Sequence, residues 1–571
     1  MRWKTKGKII KRTLVLAGCL FVGTVWGETV GVSSQTPGSA GGDVVTIGQP
    51  GGVRVKPLGG VNSGPKVGYF LYDGTQDGPC PYIDATDLYG KIAPPFVRLH
   101  DIEFPFGHNV FFDVHVYMND TSKGHANYFR AGDAYIDSIL AASPHAKIIF
   151  RLGESIALDP TFNPYAVKPS DYDRWVAAAC EIAAHYIGKY PETTWYFEIW
   201  NEAELDRGRQ FATAPALLKQ VTTAPYSDYC ALYVKAARAL NQLRTRKGAT
   251  NMKIGGPSAT SNVGCVDQLI GYLESENRKS GGVVPLEFCS YHSYDTIASS
   301  QVKLAASFKS KLTASTNYRQ AELILDEWNV DYNFKKMARQ EGAVKILDFL
   351  IALQGSEIDA AAYYDVQFCG MWNCLWYKPY YSSEVAKPTD AELAKISKAA
   401  LQTFSDGKDP AGAVYDDVIA EKLRPYKDDP LVVLGGFYAL KYFRRLYELG
   451  KVCPLELGPD VAAVAGCSAL AAADGAGNVA FACANTTSGA KAFGLSAAGH
   501  GAKEYRVSRA RGNATEFKEA VASVGDWQAY DGQTLRLSSG PYEMMLVEFR
   551  DWRNVAWRSS RHNAESNSSA N

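Results

Sequence analysis

The feature that most constrains the fold of this chain is an alternation of short apolar segments with longer helical patterns, beginning near residue 53. Alternating strands and helices are typical of parallel α/β units. Eight candidate strands read VRVKPLGGVN, PPFVRLH, AKIIFRLGES, TWYFEIWNE, NMKIGGPS, LEFCSYHSY, AELILDEWN and IDAAAYYDVQ. Eight such repeats predict an α/β fold, a closed (β/α)8 TIM barrel. A doubly wound open sheet is the alternative, but no Gly-x-Gly-x-x-Gly turn follows the first candidate strand.

A second domain is predicted after the barrel. The helical segment LVVLGGFYALKYFRRLYELG is followed by short alternating strands with Gly and Asn turns. This pattern is typical of a small antiparallel β-sandwich, which would be a C-terminal accessory domain. The predicted organisation is a signal peptide at 1–27, a flexible leader at 28–52, the barrel at 53–450, the β-sandwich at 451–557 and a disordered tail at 558–571.

The first residues have the layout of a secretory signal peptide. Six basic residues precede an apolar run from Leu14 to Trp26, and Gly27 provides a small residue at the expected cleavage point. We therefore expect a secreted or periplasmic protein. Cys19 lies in LAGC, which resembles a lipoprotein cleavage box, so a lipid anchor at Cys19 is a second possibility. No other run is long and apolar enough to predict a membrane span.

The charge balance narrows the class of partner. Lys plus Arg and Asp plus Glu are both 60, so the formal net charge is zero. Nucleic acid and anionic membranes attract proteins with an excess of positive charge, so neither is expected as the main partner. The aromatic content of 12% supplies large cores and also suits sugar rings, whose C–H faces stack on aromatic side chains.

Two glutamates stand at the ends of two predicted strands in nearly identical contexts. Glu202 ends TWYFEIWNE, and Glu327 lies in LILDEWN. The carboxyl ends of barrel strands form the face that carries active sites. A pair of carboxylates at that face is what glycoside hydrolysis requires. Either residue alone would be compatible with a structural ion pair, but two in matching contexts favour catalysis.

These segments resemble clan A glycoside hydrolases, and most closely glycoside hydrolase family 39, the β-xylosidase and α-L-iduronidase family. FEIWNEAEL resembles that family's acid/base strand, and LILDEWNV resembles its nucleophile strand. FVRLHD matches the Arg-x-His segment of strand two, and CSYHSYD the His-x-Tyr segment of strand six. The resemblance spans about residues 53–550. Two departures are Ala203, where the family has Pro, and the segment IIFRLGESI.

The resemblance implies a retaining mechanism with a covalent glycosyl-enzyme intermediate. Glu327 would be the nucleophile, and Glu202 would be the general acid and then the general base. Asn201 is expected to donate to the sugar 2-hydroxyl. Arg98 is expected to pair with Glu327 and keep it ionised, and Tyr294 to hydrogen-bond the nucleophile.

Further substrate-binding residues are expected at the same face. His100 and His292 are candidates for contacts with sugar hydroxyls, and Glu154 is a candidate for a hydroxyl pair or a cationic partner. Trp328 and Trp372 are candidate platforms for a sugar ring, with Trp376 as a third. A lone histidine or a loop aromatic is often only a packed core residue, and that interpretation stays open for each of them.

The expected function is therefore an exported, retaining, β-xylosidase-like glycoside hydrolase acting on an oligo- or polysaccharide. An arabinosidase, galactosidase, glucosidase or uronidase of the same mechanism is the alternative, and a non-catalytic glycan-binding protein is a remote one. The sequence shows no His-x-x-x-His or equivalent carboxylate cluster, and the two-glutamate mechanism needs no metal or cofactor. It predicts neither the sugar linkage nor the oligomeric state.

Overall fold

The computed structural model describes residues 44–67, 83–99, 114–153, 172–204, 226–330, 340–366, 375–377, 431–457, 467–512 and 520–551. The predicted signal peptide, Cys19, the C-terminal tail and the candidate residues His100, Glu154 and Trp372 lie outside these ranges. Within them, no helix combines the length and the apolarity that a membrane crossing needs.

The described strands and helices follow the alternation that the sequence predicts. The strands up to the end of the barrel are β1 (Val44–Ile47), β2 (Gly60–Asn62), β3 (Lys66–Val67), β4 (Ile83–Asp84), β5 (Phe96–Leu99), β6 (Lys147–Leu152), β7 (Trp195–Ile199), β8 (Met252–Ala259), β9 (Phe288–Tyr294), β10 (Glu322–Asn329), β11 (Ala360–Tyr363), β12 (Trp376–Tyr377) and β13 (Val432–Val433). The α-helices are α1 (Thr86–Ile92), α2 (Val114–Asn119), α3 (Ala126–Ala142), α4 (Tyr172–Lys189), α5 (Tyr226–Lys247), α6 (Val263–Ser280), α7 (Ala298–Ala314), α8 (Gln340–Gln354) and α9 (Gly435–Leu449).

Eight parallel strands close into a barrel, which confirms the predicted fold class. Their order around the barrel is β2-β5-β6-β7-β8-β9-β10-β11, and β11 pairs with β2 to close the ring. Each of the eight predicted segments supplies one strand, in chain order. The parallel arrangement brings the carboxyl ends of all eight strands to one face.

The barrel interior changes from apolar to charged along its axis. At the amino ends of the strands, a small buried cluster fills the bottom of the barrel; its members are Phe96, Ile149, Tyr196, Phe288, Ile324 and Ala360. Successive residues of a strand face opposite sides, so the residues two positions further on also point inward. On β5 and β7 these are Arg98 and Glu198, both fully buried. The layer below the active-site face is therefore ionic rather than apolar.

Gly60 on β2 leaves no space for a side chain inside this barrel. A Cβ atom built there would lie 2.4 Å from the carbonyl oxygen of Ala361 and 2.7 Å from Cβ of Phe96. Because the first of these neighbours is backbone, the strands would have to separate. We expect Gly60→Ala to lower the free energy of unfolding by about 1–3 kcal/mol. Chemical denaturation measures this, with Gly188→Ala, where nothing lies within 4 Å, as the control; equal stability of both variants would contradict the prediction.

The second domain is a β-sandwich, as predicted. Its strands after the barrel are β14 (Lys451–Cys453), β15 (Leu455–Leu457), β16 (Cys467–Ala473), β17 (Val479–Asn485), β18 (Lys491–Ser496), β19 (Glu504–Arg511), β20 (Val521–Val524), β21 (Gln528–Ala529), β22 (Leu535–Ser539) and β23 (Met544–Arg550). One sheet has the order β14-β16-β17-β23-β19-β20, and the other has the order β15-β1-β18-β22. Apolar residues of both sheets, such as Phe481 and Phe493, share one buried cluster between them.

The prediction of a flexible leader over residues 28–52 is wrong at Val44–Ile47. These residues form β1, which pairs antiparallel with β15 and parallel with β18. Val45 and Ile47 alternate inward and are buried in the core of the β-sandwich. The segment forms a strand because every second residue is apolar and can be buried in the sandwich core. The Gly- and Ser-rich residues before it led to the prediction of a flexible leader.

The larger sheet also packs against the barrel through α8 and α9. Ala480 and Leu546 of this sheet lie in the same buried cluster as Phe443 of α9. At the edge of the contact, Arg445 of α9 forms an ion pair with Glu548 of β23 at 2.9 Å. The accessory domain thus lies beside the barrel helices, whereas the candidate site lies at the carboxyl ends of the strands.

Candidate active site

Arg98 on β5 is the centre of a buried hydrogen-bonded group. Its Nη1 donates to Oε2 of Glu327 at 3.1 Å, which is the pair that the sequence predicts. Its Nη2 donates to Oδ1 of Asn201 at 2.7 Å and to Oγ of Ser258 at 2.8 Å. Its Nε donates to Oε2 of Glu198 at 2.9 Å. The guanidinium has no exposed surface, so it orients other residues rather than contacting a ligand.

A β-bulge in β10 turns two consecutive acidic side chains toward Arg98. The strand register passes from Leu325 opposite Tyr291 to Glu327 opposite His292, so Asp326 is the additional residue. In a regular strand, neighbouring side chains would face opposite sides; a bulge re-aims them. As a result Asp326 Oδ2 lies 3.0 Å from Nε of Arg98, while Glu327 reaches Nη1 of the same side chain.

His292 on β9 connects the two glutamates that the sequence singled out. Its Nδ1 lies 2.6 Å from Oε1 of Glu202 and 3.6 Å from Oε2 of Glu327. Its Nε2 lies 2.6 Å from Oγ of Ser258. Ser258 in turn donates to Oδ2 of Asp326 at 3.0 Å. The imidazole is therefore held from both sides and is only 2% exposed.

The surrounding carboxylates determine the charge of His292. Burial lowers the pKa of this imidazole, but Glu327 and Asp326 outweigh it, and the pKa rises well above its ordinary value. Burial acts to raise the pKa of Asp326, and Arg98 and His292 reverse this, so that it lies below its usual range. We infer that an imidazolium and a carboxylate face each other beneath the two glutamates.

Tyr294, at the end of β9, donates a hydrogen bond to Oε1 of Glu327. Burial raises the pKa of the phenol well above its ordinary value, and the Glu327 charge adds to this. The hydroxyl therefore keeps its proton and remains a donor. Glu327 thus receives one hydrogen bond on each carboxylate oxygen, from Tyr294 and from Arg98.

Glu202 lies in a tight turn that needs unusual backbone angles. Trp200 and Glu202 have φ of 73° and 45°, a region that side-chain-bearing residues seldom adopt. The turn is held by a hydrogen bond from the Glu202 amide to the Ser258 carbonyl at 2.9 Å. Beyond it, the Glu204 carboxylate accepts from both the amide and the hydroxyl of Thr260. This clamp restrains the turn in which Ala203 stands in place of the family's Pro.

The two predicted catalytic glutamates come close together at the carboxyl ends of the strands. One oxygen of Glu202, one oxygen of Glu327 and one nitrogen of His292 all lie within 4.8 Å of one another. Three such groups can in principle hold a metal ion. Here both imidazole nitrogens already face hydrogen-bonding partners, and the raised pKa favours the imidazolium, which has no lone pair for a metal. The arrangement is better suited to proton transfer and nucleophilic attack.

Three candidate substrate contacts, those of Trp328, Trp376 and His292, do not fit the described geometry. The ring of Trp328 has no exposed surface; it stacks on Phe349 of α8, with 6.0 Å between ring centroids, on the outside of the barrel. Because Asp326 is the additional residue of the bulge, Trp328 points outward next to the inward Glu327. Trp376 is equally buried. A direct sugar contact by His292 does not fit either, because both of its nitrogens are engaged by Glu202 and Ser258.

Glu198, Ser258 and Asp326 belong to the site but were not found from the sequence. The sequence could have indicated two of them, since Glu198 and Asp326 are charged residues inside segments predicted to be buried strands. A buried charge requires a partner, so they could have been matched with Arg98. Ser258 had no such signal. His100, Glu154 and Trp372 lie outside the described residues, so their predicted contacts stay predictions.

Comparison with known proteins shows that the barrel is similar to glycoside hydrolases. Residues 96–327 match the family model described as glycosyl hydrolases family 39. A β-xylosidase from Caldicellulosiruptor saccharolyticus is 30% identical over 131 residues, which cover 22% of each chain. A β-xylosidase from Geobacillus stearothermophilus is 27% identical over 135 residues, 23% of this chain and 22% of that protein. The matched segment thus spans only about a fifth of these relatives.

Solved structures share the architecture over most of the chain. A glucosidase from Croceicoccus marinus superposes with a TM-score of 0.54 at 15% identity, covering 89% of this chain and 98% of that one. A monomeric β-xylosidase from Caulobacter crescentus gives 0.54 at 14% identity, covering 89% and 99%. At these identities the likeness concerns the fold alone, a barrel with an accessory β-sandwich.

Proposed function

We propose that this chain, whose residues 96–327 match the model of glycosyl hydrolases family 39, is a retaining, β-xylosidase-like glycosidase that cleaves O-glycosidic bonds. The observation that carries the proposal is the approach of Glu202 and Glu327 to within 4.8 Å, oxygen to oxygen, at the carboxyl ends of the barrel strands. Retaining glycosidases have carboxyl groups about 5–5.5 Å apart, whereas inverting enzymes need about 6.5–9.5 Å. The short separation supports the retaining arrangement.

In the first half of the reaction, Glu327 attacks the anomeric carbon and forms an ester bond to the sugar. The bond between that carbon and the leaving oxygen breaks, and Glu202 donates its proton to the leaving oxygen. Arg98 and Tyr294 support this role because their hydrogen bonds favour the ionised form of Glu327. Their hydrogen bonds also fix the orientation of the attacking carboxylate.

In the second half, the ionised Glu202 removes a proton from water, and the water oxygen attacks the anomeric carbon. The ester bond to Glu327 breaks, and the carboxylate is restored. His292 supports this step, since its protonated Nδ1 donates to Oε1 of Glu202 at 2.6 Å. This hydrogen bond fixes the orientation of the carboxylate that accepts the proton from water.

The orientation of the Asn201 side chain supports a contact with the sugar. Its Oδ1 accepts from Arg98 at 2.7 Å and lies 3.3 Å from Oγ of Ser258. This orientation leaves the amide nitrogen as the group that can donate to a ligand. We propose that it donates to the sugar 2-hydroxyl, a contact that strengthens in the transition state.

Hydrolysis of a panel of nitrophenyl glycosides tests the proposal, with proton NMR of the sugar first released. We expect cleavage of the β-xyloside and release of β-xylose before mutarotation. Cleavage of an arabinoside, galactoside, glucoside or glucuronide with retention would keep the mechanism and replace the sugar. Release of the inverted anomer, or binding of glycans without cleavage of the nitrophenyl glycosides or of xylo-oligosaccharides, would overturn the proposal.

Tyr294→Phe removes only the hydroxyl that donates to Glu327. We expect kcat to fall about 10- to 100-fold, because one hydrogen bond to a buried charged group is lost while Arg98 remains. Initial rates on the best substrate of the panel measure this. Tyr272→Phe, on α6 and away from the carboxyl ends of the strands, is the control. A Tyr294→Phe rate equal to that of this control would contradict the role.

We also propose that the protein is exported, on the basis of the basic and apolar N-terminal sequence. Mass spectrometry of the mature N-terminus in a bacterial host tests this. Cleavage near Gly27 supports a secreted or periplasmic protein, an acylated Cys19 at the N-terminus supports a lipid anchor, and an intact Met1 contradicts both.

A further inference from the structure

Glu198 on β7 is a buried carboxyl group that the proposed reaction does not use. It lies one layer below Glu202 and Glu327 and has no exposed surface. Its Oε2 receives the Nε–H of Arg98 at 2.9 Å and lies 2.8 Å from Nη2. Asp326 and Glu327 contact the same guanidinium at 3.0 and 3.1 Å. One positive charge is therefore shared by three carboxyl groups in the barrel interior.

The contact between Glu198 and Asp326 is the unusual part of this group. Oε2 of Glu198 and Oδ2 of Asp326 lie 2.9 and 3.0 Å from the same nitrogen, Nε of Arg98, so the two carboxyl groups are adjacent. Two carboxylates are both acceptors only, and a hydrogen bond between them requires that one carries a proton. In addition, Oε1 of Glu198 and Oδ1 of Asp326 are buried, and among the described residues no donor reaches either atom. A proton on one of the two carboxyls satisfies an oxygen of each residue at once.

Asp326 is the better acceptor of the two. Its Oδ2 accepts from the Ser258 hydroxyl at 3.0 Å and lies 3.6 Å from the His292 ring and 3.0 Å from Nε of Arg98, whose N–H donates to Glu198. These donors and charges favour a carboxylate at this position. We propose that Glu198 is a positioning residue that keeps its proton, donates it in a hydrogen bond to Asp326, and thereby leaves the charge of Arg98 to Asp326 and Glu327.

The proposal rests on the glycosidase function above and explains how the site keeps its charge during turnover. With Glu198 and Glu202 both protonated, the side chains that form ion pairs with one another here are two cations, Arg98 and His292, and two anions, Asp326 and Glu327. After the first half-reaction Glu327 is an ester and Glu202 is an anion, so the count is again two and two. An ionised Glu198 would add a third anion without solvent to screen it, which is costly in a buried site.

Some groups around Glu198 raise its pKa and others lower it. Burial is the main cause that raises the pKa of Glu198 to about 8; Asp326 raises it further, and Arg98 and the Ser290 hydroxyl of β9 oppose this. Tyr229 of α5 interacts electrostatically with it and stays a neutral phenol. On β6, Arg151 is its neighbour in the strand register, and its charge would favour an ionised Glu198. The contacts of Oε2 of Glu198 at 2.8 and 2.9 Å are with Arg98.

Thermal unfolding of the full chain as a function of pH tests the proton without any substrate. Glu198 has a higher pKa in the folded state than the ordinary value of about 4.3 in the unfolded state, so between about pH 5 and about pH 8 the folded state holds more protons. Wild-type stability should therefore lose this contribution as the pH rises. Glutamine does not titrate and mimics the protonated acid, so the Tm of Glu198→Gln minus that of wild type should increase over this range.

Asp326→Asn is the matched control, since it removes a carboxyl of similar burial from the same group. The pKa of Asp326 is lowered, so its carboxylate stabilises the folded state at neutral pH and this contribution is lost in acid. The Tm of Asp326→Asn should therefore lie furthest below that of wild type at neutral pH, and this difference should shrink below about pH 4. A Glu198→Gln difference that stays constant from pH 5 to 8, or declines, would show that Glu198 is ionised, for example by Arg151, and would overturn the proposal.

Kinetics then test the positioning role. We expect Glu198→Ala to lower kcat/KM about 30-fold or more, since Arg98 loses a buried partner, and Glu198→Gln to recover most of this loss. Asp326→Asn should lower kcat/KM without such recovery, because the negative charge of the Asp326 carboxylate is needed. Failure of Glu198→Gln to recover activity, in a folded variant, would overturn the role. An inactive wild type would instead refute the glycosidase function, while the pH dependence of unfolding would still report the proton.

Discussion

Replacing Glu327 with alanine is expected to lower kcat by about 10⁴-fold or more, because the variant lacks the group that forms the glycosyl ester in the proposed mechanism. The change also leaves a space at the end of β10, next to the donors Arg98 and Tyr294. Added azide can occupy that space and attack the anomeric carbon directly. We therefore expect azide to restore cleavage of an activated glycoside and to give a glycosyl azide of inverted configuration.

Initial rates and NMR of the azide product measure both parts of this result. Glu322→Gln is the control on the same strand; it lies at the amino end of β10, where its carboxylate pairs with Lys253 at 2.7 Å. This control should keep the rate of the wild type. A Glu327→Ala variant that retains more than about a hundredth of the wild-type kcat would exclude Glu327 as the nucleophile.

Replacing Glu202 with alanine is expected to give the second large effect, with a different signature. General acid catalysis contributes about 10²- to 10⁴-fold, and its contribution depends on the leaving group. Natural disaccharides and nitrophenyl glycosides should therefore lose much more activity than dinitrophenyl glycosides, whose leaving group needs no proton. With such an activated substrate the ester to Glu327 still forms, and its hydrolysis becomes slow.

Azide separates the roles of the two glutamates. In Glu202→Ala the ester still forms on Glu327, and azide then attacks it from the face that water would use. The product should be a glycosyl azide of retained configuration, the opposite of the Glu327→Ala product. The same configuration from both variants, or an equal loss of activity for all leaving groups in Glu202→Ala, would contradict the assignment of roles.

Much of the fold was predictable because periodicity in the sequence reports local structure. Each of the eight predicted barrel segments supplies a strand, and the carboxyl ends of parallel strands meet at one face. Glu202 and Glu327, placed at the ends of β7 and β10 in the sequence, therefore had to lie near each other. The Arg98–Glu327 and Tyr294–Glu327 contacts were expected from the family resemblance, and they also depend on the inward direction of the Glu327 side chain.

The side-chain directions near the site were not predictable to the same degree. Trp328 adjoins Glu327 in the sequence, but the bulge at Asp326 turns Glu327 inward and sends Trp328 to the outer face, against Phe349. A one-residue change of register reverses the facing of each later side chain in the strand. The periodicity of LILDEWN does not reveal where such a bulge occurs.

The sequence by itself determined the eight-stranded barrel, the accessory β-sandwich and the two glutamates at the strand ends, since these depend on the spacing of apolar residues along the chain. Only the tertiary structure decided which charges share Arg98, which way Asp326 and Trp328 face, and that Val44–Ile47 join the β-sandwich. The physical reason is that strand formation is local, whereas a bulge, a buried ion group and a strand pairing depend on segments far apart in the chain.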